Sequence, residues 1–145
     1  MNVVNNKIYF DLLVESEQDQ KTIFTPNADM MKYALVLDVG HKVEWVKKGD
    51  VIKLYVNTMF MTEKGKGFCA ERDVIFCNQI PQKGKVHIKE QTKDKITSLK
   101  TAKVINANCD DIQTDDIIAY RDGQSLILPD NTEIVSETQI YYTKG

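Results

Sequence analysis

The chain has 145 residues, of which 42% are hydrophobic and 28% charged, with a formal net charge of -2 at pH 7. This composition excludes a chain too polar to fold, and it lacks the basic excess typical of nucleic-acid binding. The apolar runs are far shorter than the roughly 20 residues that span a bilayer, so no membrane partner is expected. The length allows one ordinary domain or two very small ones.

The N-terminal residues and the cysteines indicate a cytoplasmic protein. The first ten residues, MNVVNNKIYF, lack the basic segment and apolar run of a secretory signal. Cys69, Cys77 and Cys109 are odd in number and have no CxxC spacing. We therefore expect reduced cysteines, packed as small core residues.

Short apolar or alternating runs, rich in Val, Ile, Tyr and Phe, follow one another along the chain, as is typical of β-strands. In chain order the predicted strands are Lys7–Val14, Tyr33–Val39, Val51–Asn57, Val74–Cys77, Val86–Lys89, Ala102–Ala107, Asp116–Arg121 and Ile140–Thr143. Gly, Pro, Asn and Asp separate these runs and indicate turns. No stretch has sustained helical periodicity with caps at both ends, so an all-β fold is predicted.

The two halves of the chain resemble each other in sequence. Three segments of the first half, Lys7–Glu15, Tyr33–Thr58 and Phe68–Phe76, parallel three of the second half, Lys85–Lys93, Thr101–Gln124 and Glu133–Tyr141. In this comparison Gly49-Asp50 corresponds to Asp115-Asp116. The sequence therefore predicts two units in tandem, residues 1–80 and 81–145.

Two apolar segments are candidate contact sites. The first unit carries a long polar insert, residues 15–32, and Thr22, Ile23, Phe24 and Thr25 lie within it, before Pro26. A polar loop cannot bury these side chains by itself, so they either pack on their own unit or dock on a partner. Met59, Phe60 and Met61 either extend a strand into the core or form a contact surface, because Met adapts to irregular partners.

Catalytic and metal-binding patterns are weak. Cys69 or Cys77 with His41 or His87 would offer a nucleophile and a base, but cysteines on strands are more often buried core residues. The acidic cluster Asp110, Asp111, Asp115 and Asp116 lacks the spacing of a calcium loop and is interpreted as a solvated turn. We therefore expect a protein that is not an enzyme and has no metal or cofactor.

Three motifs carry a resemblance to a known family. They are Leu37-Asp38-Val39-Gly40, Val46-Lys47-Lys48-Gly49-Asp50-Val51 and Glu71-Arg72-Asp73-Val74-Ile75. Their order resembles that of the GroES-type co-chaperonins (the chaperonin-10 family), closely over residues 7–78 and weakly over 85–143. The resemblance implies two partly open β-barrels and a mobile loop whose tripeptide, Thr22-Ile23-Phe24, docks on a chaperonin ring. It also implies a homo-oligomeric ring formed by pairing of edge strands, here Val3-Val4 and Ile140-Tyr141-Tyr142.

Two departures from the family pattern qualify this expectation. The segment His41–Trp45 is too short for the family's roof hairpin, and the second unit lacks the mobile loop. A tandem, roofless co-chaperonin resembles those of some bacteriophages, which would act in the host cytoplasm. The alternative is a structural ring or adaptor protein of a phage particle, with other virion proteins as partners.

Overall fold

A computed structural model describes residues 1–13, 30–93, 99–121, 123 and 125–144 of the chain. Within these ranges the regular elements are β-strands and three single 3-10 turns, at Val56–Thr58, Glu71–Asp73 and Glu137–Gln139. The predicted all-β fold is therefore confirmed. The chain divides into two compact units, Met1–Gln79 and Ile80–Gly145, one residue from the predicted boundary.

The first unit is built on an antiparallel sheet. Its strands are β1 (Lys7–Leu12), β2 (Met31–Val39), β3 (Val51–Tyr55), β4 (Phe60–Glu63), β5 (Lys66–Ala70) and β6 (Phe76–Cys77), followed at the junction by β7 (Ile80–Pro81). The spatial order is β4-β5-β1-β2-β3-β6-β7. β2 begins inside the predicted insert of residues 15–32, because Met31 and Lys32 pair with Tyr55 and Leu54 of β3.

The core of the first unit lies on one face of this sheet. Alternate residues of the central strands point to the same side, since the side-chain period of a strand is two. The fully buried members include Ile8, Phe10, Ala34, Val36, Ile52 and Leu54. Burial of one such large apolar side chain contributes about 1.5–3 kcal/mol.

The second unit has its own antiparallel sheet and core. Its strands are β8 (Lys85–Lys93), β9 (Lys100–Ala107), β10 (Ile117–Tyr120), β11 (Leu126–Ile127), β12 (Glu133–Ser136) and β13 (Ile140–Lys144). The spatial order is β11-β12-β8-β9-β10-β13. The core again lies on one face and includes Val86, Ile88, Ala102, Val104, Ile118 and Tyr120.

The two sheets share one topology, which confirms the predicted tandem arrangement. Replacing β1 to β6 by β8, β9, β10, β11, β12 and β13 converts the first spatial order into the second. Among the described strands, the outermost ones of each sheet pair on one side only. Each unit is therefore an open sheet. The prediction of partly open barrels is confirmed only in that neither sheet closes on itself.

A β-bulge recurs at the same place in both units. Between β1 and β2 the register shifts after Tyr9, which leaves Leu37 as the extra residue, and between β8 and β9 it shifts after His87, which leaves Ile105. The residue after the bulge is Asp38 or Asn106, and its side-chain oxygen accepts the next backbone N–H at 2.9 Å in both cases. A shared irregularity of this kind is stronger evidence of duplication than matching apolar residues.

The turn before β3 also recurs before β10. Asp50 Oδ2 accepts the backbone N–H of Lys47 at 2.8 Å, and Asp116 Oδ2 accepts that of Gln113 at 2.9 Å. The preceding residue has positive φ in both units, +92° at Gly49 and 73° at Asp115. The predicted correspondence of Gly49-Asp50 with Asp115-Asp116 is therefore confirmed.

The third predicted correspondence is off by one residue. The 3-10 turns begin at Glu71 and Glu137, and Cys69 and Val135 hold equivalent positions opposite Ile8 and Val86. The correspondence predicted from the sequence instead pairs Phe68 with Glu133. A slip of one residue exchanges the two faces of a strand, and the similar polarity of the two turns conceals it.

Candidate protein-binding surface

The outermost strand of the first sheet exposes large apolar side chains. β4 pairs only with β5 among the described strands, and Phe60 on it is 71% exposed, with Met61 also exposed. Phe60 lies opposite Phe68, which lies opposite Tyr9 on β1. The rings of Tyr9 and Phe68 have centroids 4.9 Å apart, at 40° to each other. These three aromatic residues form a row across the face opposite the core.

The second unit repeats this row. Leu126 on the outermost strand β11 lies opposite Ile134, which lies opposite His87 on β8. Ile127, the neighbour of Leu126, is 64% exposed. His87 Nε2 is 2.7 Å from Thr132 Oγ1, which ties the inner end of the row to the turn before β12. Phe60-Met61 and Leu126-Ile127 are therefore equivalent exposed pairs; we call them the edge pairs.

Only one edge pair was predicted from the sequence. Met59, Phe60 and Met61 were expected either to extend a strand into the core or to form a contact surface, and of these Met59 packs against the core of the first unit. Met61 lies over Gly67, where a Cβ would come within 2.9 Å of Met61 Sδ and 2.6 Å of the Phe60 carbonyl oxygen. Leu126-Ile127 was not identified, although each edge pair begins eight residues before the middle residue of its row, Phe68 or Ile134.

The two segments predicted to mediate assembly differ in their structure. Ile140, Tyr141 and Tyr142 lie on β13, which ends the second sheet, and Tyr141 is 60% exposed while Ile140 packs on the core. Val3 and Val4 lie in no strand of the described chain, because Asn5 has φ of 58° and the chain turns before β1. The predicted loop residues Thr22, Ile23, Phe24 and Thr25 lie outside the described residues.

The segment His41–Trp45, expected to be too short for a roof hairpin, is fixed by one carboxylate. The two oxygens of Glu71 accept the backbone N–H groups of Glu44, Trp45 and Val46 at 2.9–3.0 Å. Val43 and Trp45 pack against the core. The carboxylate therefore fixes this segment onto its own sheet. In the sequence, Glu71 stands out only as the first residue of the motif Glu71-Arg72-Asp73-Val74-Ile75.

The buried thiols are poor nucleophiles. Burial raises the pKa of Cys69 to about 12, with the nearby Asp73 adding to the effect. Burial likewise raises the pKa of Cys77 to about 12, and its Sγ donates to Asp50 Oδ2 at 3.3 Å. Both thiols are protonated at neutral pH, so they lack the thiolate that attacks electrophiles.

Asp50 is the acceptor in a small polar cluster. Partial burial raises its pKa, but hydrogen bonds from the Lys47 backbone, the Asn78 amide and the Cys77 thiol outweigh this, and the net pKa is lowered. Asn78 Oδ1 also accepts the backbone N–H of Val51 at 3.0 Å. The cluster joins the start of β3 to the end of β6 and so has a structural role.

The acidic residues of the second unit do not converge on a cation. Asp116 holds its own turn, as described above, and Asp115 lies 3.5 Å from the ammonium of Lys103. Within the described ranges, no three His, Cys, Asp or Glu side chains are grouped so that they could hold a metal ion.

Comparison with known proteins adds no family. No protein-family model matches the chain. No curated protein matches it either. The part of the chain that the structure describes contains no helix long and apolar enough to cross a membrane. What the fold and surface define is a tandem all-β protein with an apolar pair exposed on the edge of each sheet.

Proposed function

We propose that this protein is an assembly protein that binds other polypeptides through the edge pairs of its two units. The observation that carries the proposal is the recurrence of Phe60-Met61 as Leu126-Ile127 on equivalent edge strands. An edge strand offers backbone hydrogen-bonding groups, and apolar side chains beside them supply contact area. Exposed apolar residues on one edge are common, but the same exposure at both equivalent positions favours a shared role.

The energetics favour several weak contacts used together. Complete burial of Phe60 against a partner contributes about 2 kcal/mol, before the cost of association is subtracted. A single contact of this size binds weakly. Two units in one chain present two such contacts, and multivalent presentation raises the overall affinity by effective concentration.

The specific form we propose is a co-chaperonin-like ring protein that docks an apolar loop on a chaperonin to assist folding. The support is the order of the three family-like motifs and the recurrence in both units of the turn at Gly49-Asp50. The candidate docking residues are Thr22, Ile23, Phe24 and Thr25. A structural ring or adaptor of a phage particle is the second candidate, and the exposed edge strand β13 favours it.

One set of variants separates these candidates. Ile23→Ser with Phe24→Ser removes the apolar loop, and Phe60→Ser with Leu126→Ser removes one residue of each edge pair. Leu13→Ser with Ile105→Ser is the matched control, because both residues are about 40% exposed and lie on no outermost strand. Each protein is assayed for co-elution with a chaperonin in the presence of ATP, for stimulated refolding of a denatured client, and for mass in solution.

Loss of refolding in the loop variant, together with loss of assembled mass in the edge variant, supports the co-chaperonin ring. Loss of assembled mass in the edge variant, with no chaperonin binding by the wild type, supports the structural protein. If the edge variant matches the control in every assay, the edge pairs have no binding role and the general proposal is wrong.

A further inference from the structure

Two free strand edges of this chain carry complementary side chains. β4 ends the first sheet and β13 ends the second, and neither pairs with a further strand in the described chain. On β4 the sequence is Phe60-Met61-Thr62-Glu63, and the last four residues of β13 are Tyr141-Tyr142-Thr143-Lys144. Aligned in the same direction from Glu63 and Lys144, with the bulged Thr62 left unpaired, they place Phe60 beside Tyr142, Met61 beside Thr143 and Glu63 beside Lys144.

The faces of the two strands support this alignment. Phe60 and Glu63 lie opposite Phe68 and Lys66 of β5, so a bulge at Thr62 brings both onto the face away from the core. Tyr142 and Lys144 lie opposite Ala119 and Ile117, on the face away from the core of the second sheet. The bulge shortens the step from Phe60 to Glu63 to that of two ordinary residues, which is the step from Tyr142 to Lys144.

The opposite direction is less complementary. An antiparallel alignment of the same residues places Glu63 beside the tyrosines and Lys144 beside Phe60, so no carboxylate meets an ammonium. Opposite charges directly across a strand pair stabilise it, and like charges destabilise it. Charge complementarity therefore selects the parallel register.

We propose that copies of this chain assemble head to tail, with β4 of one copy pairing in parallel with β13 of the next, and Glu63 facing Lys144. The inference rests on the proposed assembly function and names the partner as a second copy. Such a contact uses two different surfaces, so its repetition produces a closed ring or an open filament.

Charge reversal tests the register. Glu63→Lys places two lysines together, and Lys144→Glu places two glutamates together, so each single variant is expected to assemble about tenfold more weakly at low ionic strength. The double variant E63K/K144E restores opposite charges and recovers assembly. A mixture of the two single variants also assembles, with the copies alternating in a 1:1 ratio. The readout is mass in solution by sedimentation and native mass spectrometry.

The matched control is Lys64→Glu, which reverses an exposed charge in the turn just after β4. Assembly that is weakened by either single reversal, rescued by the double variant and unaffected by the control supports the register. If neither charge reversal changes the mass of the assembled species, the proposed register is wrong and assembly uses another surface. A wild-type protein that stays at 16.6 kDa at high concentration overturns the inference, while chaperonin binding by that monomer would leave the proposed function standing.

Discussion

At the scale of single residues, the two copies of one turn use different solutions to the same backbone problem. Gly49 has φ of +92°, and nothing lies within 4 Å of the position its Cβ would occupy. Asp115 takes φ of 73° in the second copy, at the cost that a side chain adds in this region. The free space at Gly49 means that only backbone strain opposes substitution there.

We predict that Gly49→Ala lowers the free energy of unfolding by about 1 kcal/mol, because alanine is strained at positive φ. Lys48→Ala is the control, since Lys48 is exposed in the same turn and is not among the residues with positive φ. Chemical denaturation of both variants measures the difference. Equal stabilities would show that the turn tolerates a side chain at this φ without cost.

Glu71 is predicted to stabilise its unit more than the equivalent Glu137 stabilises the second unit. Its carboxylate accepts three backbone N–H groups, whereas the equivalent Glu137 begins a 3-10 turn that Ser136 and Gln139 cap. Glu71→Ala is expected to lower the free energy of unfolding by about 2 kcal/mol, since hydrogen bonds to a charged group are the stronger ones. Glu137→Ala is expected to cost less than about 0.5 kcal/mol. Equal effects in thermal denaturation would contradict this role.

The three cysteines are predicted to differ in reactivity. Cys69 and Cys77 are buried with pKa values of about 12, whereas Cys109 is only half-buried. Burial, Glu137, Asp111 and Asp110 raise the pKa of Cys109 as well, so its reaction is slow but the fastest of the three. Alkylation with iodoacetamide at pH 8, followed by peptide mass spectrometry, should label Cys109 first. In denaturant all three should react alike, and early labelling of Cys77 in the native protein would count against the buried geometry.

At the scale of elements, hydrophobic patterning identifies β1 to β3 and β8 to β10 but misses the hairpins β4–β5 and β11–β12 on one side of each sheet. All eight strands predicted from the sequence overlap observed ones, because β-branched and aromatic residues are concentrated in strands such as β3, in which alternate side chains are buried. Neither β5 and β12 nor the outermost β4 and β11 beside them were predicted as strands. An edge strand is solvated on one side and short, so its residues carry little periodic signal. The candidate surface lies on these two strands, which explains why the sequence reveals only half of it.

Register is the second property that alternation does not fix. The turn residues Glu71 and Glu137 are flanked by similar polar residues, so two alignments one residue apart fit almost equally well. Only the pairing partners decide between them, because Cys69 and Val135 face the core while Phe68 and Ile134 face away from it. Residues that are far apart in the sequence supply this information, and local polarity does not.

At the scale of the whole molecule, duplication could be inferred from the sequence, but its binding partner could not. The turn at Gly49-Asp50 and its counterpart at Asp115-Asp116 indicate the repeat, and both have the same hydrogen bond in the structure. A partner is selected by side chains that a fold leaves exposed, and exposure depends on strand order. The strand order shows that Phe60 and Leu126 hold equivalent positions, which their different side chains conceal in the linear sequence.

The two units are expected to unfold separately. Each has a core cluster drawn from its own residues alone, Phe10 being central in the first and Ile88 in the second. Phe10→Ala is expected to destabilise by about 3–5 kcal/mol and Ile88→Ala by about 2–5 kcal/mol, a large part of the stability of a small domain. Because no buried residue in the described part of the chain belongs to both clusters, we expect each substitution to act on its own unit.

Native-state hydrogen exchange, read separately over residues 1–79 and 80–144, measures this. Phe10→Ala should raise exchange in the first range and leave the second protected, and Ile88→Ala should do the reverse. The exposed Ile105→Ala is the control and should change neither range. If either core substitution raises exchange equally in both ranges, the units unfold as one cooperative body, and duplication has given one folding domain with two cores instead of two independent modules.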